Sequence, residues 1–150
     1  MEAVTIERLA LEDYGRCAEI RRMDDALDAR FRREIAEGNR TVYIARAGGE
    51  WIGEIAFVLD TGDPDYTIPG VRVYLSRLIV KPAYQNRGIG GALIDHMLGL
   101  LRERGFREAS IGVDKDNEAA LHLYRKKGFT TVVFDGEDED GAYYKLVRTL

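Results

Sequence analysis

The chain changes its hydrophobic period at one junction, and that junction restricts the fold more than any other feature. A β-rich stretch, Val71 to Val80, passes through Lys81-Pro82 into Gln85-Asn86-Arg87-Gly88-Ile89-Gly90-Gly91, and residues 88 to 104 then follow a helical period. Ile89, Leu93, Met97 and Leu101 step by four with Ile94 and Leu98 beside them, while Asp95, Arg102 and Glu103 take the opposite side. A helix opening directly after a strand offers unpaired N–H groups and the positive end of its dipole, so an anion can sit there without a charged side chain. Gly88, Gly90 and Gly91 remove side chains that would block such an approach, and Arg87 can add a charge-assisted hydrogen bond. Taken alone the glycines are a weak signal, because they also serve tight turns and close helix packing. A P-loop is excluded, since no Gly-Lys-Ser/Thr follows. A dinucleotide fingerprint is weakened but not eliminated, because Glu108 lies near the expected acidic offset.

Around this junction the elements alternate. Residues 3 to 8 read as a first strand, and apolar spacings of three and four from Leu11 to Glu37 predict one or two amphipathic helices ending near Gly38-Asn39. Strands are predicted over Thr41 to Arg46 and Trp51 to Leu59, joined at Gly48-Gly49, and a Gly/Pro/Asp-rich loop, Thr61 to Gly70, leads to the next strand. After the glycine-opened helix, which Gly105 caps, come a strand at Ala109 to Val113 and a helix from about Asn117 to Lys127, stopped by Gly128. Two closing strands, Thr130 to Phe134 and Ala142 to Val147, flank an acidic turn. At 150 residues the expected architecture is one α/β domain, residues 1–150, with a mixed sheet and helices on its faces.

Composition narrows the partners. A formal charge of −4 argues against duplex nucleic acid, which rewards a strongly basic face. The single cysteine, Cys17, has no partner for an internal disulfide and no spacing that holds zinc, which points to the reducing cytoplasm and to no metal. The N-terminal residues lack a basic and then apolar leader, and no apolar run approaches a membrane span, so neither secretion nor membrane insertion is expected.

Gln85-Asn86-Arg87-Gly88-Ile89-Gly90 resembles the Q/R-x-x-G-x-G/A signature of the GNAT family of N-acetyltransferases. Asn117-Glu118-Ala119-Ala120-Leu121-His122-Leu123-Tyr124-Arg125-Lys126-Lys127-Gly128-Phe129 resembles that family's later N-x-x-A-x-x-x-Y-x-x-x-G-F block, in the right order and at the right distance. The resemblance implies a GNAT-like fold: a mixed, mostly antiparallel central sheet with helices on both faces. It implies acetyl-CoA as donor, its pantetheine arm beside Leu78, Ile79 and Val80 on a strand that bulges and splays from its neighbour. Gln85, Asn86, Arg87, Gly88, Ile89, Gly90 and Gly91 would hold the pyrophosphate, with Asn117 and Tyr124 lining the same cleft. The acceptor is a primary amine, either a small molecule or a peptide N-terminus, and a homodimer is compatible with the fold though no residue pattern requires it.

Acetyl transfer needs a neutral amine, a donor to the oxyanion and a proton for the departing thiolate. Tyr124 matches the family's general acid, and the backbone N–H of Ile79 or a close neighbour is the expected oxyanion donor. The plain structural alternatives are a core role for Tyr124 and an N-cap role for Asn117. The family pattern breaks at the general base: Ser76 and Gly112 stand where many members carry Glu. A hydroxyl cannot by itself deprotonate an alkylammonium, so a water relay ending at Asp114, Asp24, Asp25 or a backbone carbonyl is expected, and an α-amine would need less help. The missing Glu also keeps open a catalytically weak acyl-CoA-binding sensor. Other features have simpler accounts: the arginines at 16, 21, 22, 30, 32 and 33 as solvated helix faces, Glu137 to Asp140 as a polar hairpin tip, His96 and His122 as surface histidines, Trp51 as packing. In the family the loop corresponding to Asp63, Asp65 and Tyr66 often borders the acceptor, and its polarity is equally that of any surface loop.

Overall fold

Alternation at Val4 and Ile6 produces strand β1, Val4–Arg8, in the computed structural model, which describes residues 3–150. The segment after it divides in two. Leu11–Glu19 forms a 3-10 helix, and Asp24 then caps α1, Asp25–Ala36, by accepting the Leu27 N–H at 2.7 Å. Strands β2, Arg40–Ala47, and β3, Glu50–Val58, follow, and β3 is buried at every position after Glu50, as a strand covered on both faces must be. Next come β4, Arg72–Val80, a short 3-10 turn at Pro82–Tyr84, and α2, Ile89–Glu103. The chain closes with β5, Glu108–Asp114, α3, Glu118–Lys126, β6, Thr131–Asp138, and β7, Gly141–Thr149.

Among the described residues seven strands form one sheet in the order β1-β2-β3-β4-β5-β7-β6. β1 with β2, β5 with β7 and β6 with β7 are antiparallel, and β4 with β5 is parallel, which gives the mixed, mostly antiparallel sheet expected. β6 extends to Asp138, so Glu137 and Asp138 belong to the strand. Only Glu139 and Asp140 form the hairpin tip, which corrects the wider acidic turn read from sequence. No helix among the described residues is long and apolar enough to cross a membrane.

The chain divides into two compact units, one up to Phe57 with Arg77–His96, the other Val58–Ser76 with Met97–Leu150, and it passes between them at the end of β3, within β4 and within α2. In the first, Leu9, Tyr14, Cys17, Phe31, Ile44 and Trp51 pack in one cluster that covers the sheet with the long 3-10 helix and α1. The opposite face belongs to α2: a Cβ on Gly53 would lie 3.3 Å from the Leu93 side chain, whereas the adjacent Glu54 turns toward Cys17 and Arg77. In the second unit, Met97, Leu98 and Leu101 of α2 are fully or almost fully buried, as are Val73, Ala109 and Phe129. Because Leu101 is completely enclosed, Leu101→Ala leaves a cavity; we expect a loss of about 2–5 kcal/mol, read as a lower urea midpoint at unchanged slope.

Candidate active site

β4 sets the geometry. It starts as the parallel partner of β5, in the register Arg72↔Glu108, Val73↔Ala109 and Tyr74↔Ser110, with an Arg72–Glu108 ion pair of 2.9 Å at its mouth. The ladder ends at Tyr74, although β4 itself continues to Val80. Inside the strand Arg77 has φ 54, a left-handed conformation that costs a non-glycine residue about 1–3 kcal/mol and interrupts the pleat as bulges do. Ser76, just before it, is buried, and Leu78, Ile79 and Val80, just after it, are half-buried.

At the end of β4 the junction is tied down at several points. Lys81 N–H donates to the Ile52 carbonyl at 2.8 Å, and the Lys81 ammonium and Tyr84 hydroxyl reach the Glu50 carboxylate at 3.1 and 2.7 Å. Those contacts, the Tyr84 hydrogen bond above all, hold the Glu50 carboxyl below its ordinary range. Gln85 donates its side-chain amide to Val80 O at 3.0 Å, so this residue braces the turn. Asn86 and Gly88 then take positive φ, 62 and 81. A Cβ on Gly88 would meet no protein atom within 4 Å, and the positive φ there favours glycine for its backbone conformation. The first helical bond of α2 runs from Ala92 N–H to Gly88 O at 3.0 Å, and the N–H groups of Ile89, Gly90 and Gly91 precede it, without intrahelical acceptors. Arg87 is exposed beside them, its guanidinium 5.3 Å from the Tyr84 ring centre. These residues fit a diphosphate: main-chain donors at a helix start, with one exposed positive charge beside them.

A second cluster lies on β5, α3, β7 and the loop before β4, all within the second unit. Tyr124 of α3 is 8% exposed, with Phe129 edge-on at 6.5 Å. Burial raises its phenol to about 12, and the neighbouring Tyr74 adds to the rise. Tyr74 in turn lies 4.4 Å, centre to centre, from Tyr66. The loop carrying Tyr66 is clasped in place: Ser110 Oγ donates to Tyr66 O at 2.6 Å, and Lys145 reaches Asp63 and Asp65 at 2.8 and 3.2 Å. Burial acts to lower the Lys145 pKa, yet the hydrogen bonds it donates to the two carboxylates outweigh it and raise it, while the bond from Lys145 holds Asp63 low. A Cβ on Gly112 would lie 2.5 Å from the Tyr66 hydroxyl. The Tyr66 phenol therefore occupies the space that a side chain at position 112 would enter.

Other candidates are placed as follows. Asn117 caps α3, its Oδ1 accepting from Ala120 N–H at 3.2 Å. Asp114 is exposed at the end of β5, Asp24 is engaged in capping α1, and Asp25 is exposed. His122 is exposed, but His96 is not the surface histidine expected: it is half-buried, its ring 4.8 Å from Tyr43, because that flank of α2 faces β2. Sequence reasoning missed Lys145, whose alternation in β7 marks it as outward-facing until the loop aspartates are brought to it. It also missed Glu54, a carboxylate 1% exposed within an apolar strand. A lone charge inside an apolar run was the available signal.

A model of the Acetyltransferase (GNAT) family matches residues 4–129. The chain belongs to the GNAT family of acetyltransferases. The chain is 35% identical over 136 residues to the N-alpha-acetyltransferase RimI of Mycobacterium tuberculosis, covering 87% of this chain and 81% of that protein. Among solved structures it is similar to a PaiA N-acetyltransferase of Thermoplasma acidophilum in complex with coenzyme A, with TM-score 0.72, 20% identity and 99% of each chain covered. It is similar too to the ribosomal-protein-S18-alanine N-acetyltransferase of Escherichia coli, with TM-score 0.75, 19% identity, and 98% of this chain and 94% of that one covered. As a GNAT acetyltransferase the protein is an enzyme that draws its acetyl group from acetyl-CoA and transfers it to an amine, and the non-catalytic sensor is not favoured. Because Tyr66 fills the space at position 112, Gly112→Ala should destabilise this GNAT domain by about 1–3 kcal/mol. Removing the hydroxyl in Tyr66→Phe should recover most of that loss, a coupling measured by denaturation of the two single variants and the double.

Proposed function

We propose that residues 1–150 work as one GNAT domain that acetylates the α-amine of a peptide N-terminus, in the cytoplasm, where a free thiol such as Cys17 persists. The observation that carries this reading is the Tyr66 hydroxyl at position 112: with Ser76 and Gly112 in place of carboxylates, the acceptor must arrive largely neutral by itself. An α-amine, with a pKa near ~7.7–8.0, does so close to neutral pH, whereas a lysine amine near ~10.4 does not. Kinship with an N-alpha-acetyltransferase supports the same choice.

In this reading the N–H groups of Ile89, Gly90 and Gly91, with Asn86, Arg87 and Gly88, grip the coenzyme's pyrophosphate, and Gln85 keeps the turn in shape. The backbone of Leu78, Ile79 and Val80 accepts the pantetheine arm like an added strand, with an Ile79 N–H on the oxyanion. Bound acetyl-CoA supplies the thioester. Tyr124, raised to about 12, retains its proton throughout the working pH range and delivers it to the departing sulfur. Asn117 contributes its amide N–H while its oxygen caps α3. The proton released by the amine leaves through water, with Ser76 and Asp114 along the route.

Two measurements test this. Tyr124→Phe should lower kcat by about 10²- to 10⁴-fold while the KM for acetyl-CoA changes little. At pH 7.5 a peptide with a free N-terminus should react roughly 200- to 300-fold faster than an Nα-blocked peptide with a free lysine, the ratio of their neutral fractions. Equal rates for the two peptides would exclude the α-amine assignment.

A further inference from the structure

The two left-handed non-glycine residues among the described positions, Arg77 and Asn86, bracket the segment from Leu78 to Gln85. Asn visits this conformation readily and needs no support, but Arg does not. Something must hold Arg77 there, and its side chain shows what does. Its Nε lies 3.3 Å from the Glu54 carboxylate on β3, and its Nη2 donates to the Arg21 carbonyl at 3.2 Å, in the connection between the long 3-10 helix and α1. Both partners are shielded: the Arg77 side chain is 11% exposed and that of Glu54 1%. Burial raises the Glu54 carboxyl and Arg77 opposes it, with Arg40 and Cys17 as the other close polar groups. A buried pair of this kind adds little stability over apolar residues of the same size, and its attested use is to fix one geometry against alternatives.

We propose that the Glu54–Arg77 pair is a positioning device that holds β4 in its left-handed turn, so that Leu78, Ile79 and Val80 present their backbone to coenzyme A. This rests on the reading that the coenzyme lies along that segment. Neither side chain touches the reacting atoms, and each acts only through the backbone at position 77.

Glycine takes a positive φ without a clamp, alanine resists it and asparagine falls between. The test therefore removes the clamp and varies residue 77 in a Glu54→Gln background, as Arg77→Gly, Arg77→Asn and Arg77→Ala. Calorimetry with coenzyme A, and the KM for acetyl-CoA, should place the glycine variant within about threefold of wild type and the alanine variant about tenfold weaker, with asparagine between. kcat at saturating acetyl-CoA should fall in the same order, since the Ile79 N–H assigned to the oxyanion rides on the same segment. All variants are compared as protein shown by circular dichroism to be folded, so that general loss of structure is not what is read. Equal affinities for the glycine and alanine variants would overturn the proposal. If the alanine variant does not fold, the glycine and asparagine variants carry the same comparison, and an asparagine variant binding as tightly as glycine would overturn it. Wild-type protein that failed to bind coenzyme A would overturn instead the donor reading beneath it.

Discussion

Parallel pairing between β4 and β5 persists for three residue pairs and ends at Tyr74, where an ordinary parallel sheet would continue it. Arg77 then turns left-handed, and the strand runs on to Val80 before the 3-10 turn and the start of α2. A ladder that ends early frees main-chain groups for a ligand, and a helix that begins soon after supplies donors for its anionic part. The contacts of Glu54, Glu50 and Gln85 are best understood as fixing that short path, since each ties a side chain to β4 or to the turn that follows it.

The chemistry follows from what the second unit lacks. In the proposed reading Ser76 and Gly112 leave no carboxylate to act as base, and the Tyr66 phenol fills the space beside Gly112. The clasp of Lys145 on Asp63 and Asp65 keeps that loop in place. What remains is a buried phenol, Tyr124, which burial keeps protonated up to about pH 12. Under the proposed function such an enzyme selects its acceptor partly by amine basicity, a property of the substrate.

The fold was largely legible because its signals are local. Period two and period four gave the strands and α2, and the Gly88 junction, Gly105 and Gly128 placed the breaks. The 3-10 character of Leu11–Glu19 was not legible, since a spacing of three to four suits either helix. The glycine-opened start of α2 and the helix that carries Tyr124 were legible from their motifs. Lys145 and Glu54 were not legible, because each acquires its role from residues 23 to 82 positions away. The left-handed Arg77 was invisible as well: nothing in an arginine's identity announces a positive φ, and only its buried partner explains it.

The central claim is that the amine supplies its own neutral form and that Tyr124 stays protonated, and the pH dependence of kcat/KM for a peptide with a free N-terminus tests it most directly. The account requires a rise of slope one that levels off near pH ~8, the pKa of the free α-amine, and then a plateau with no fall until the Tyr124 phenol titrates at about 12. A rise centred near pH 6 to 7, as a protein base would give, or a fall beginning near pH ~9, would contradict it.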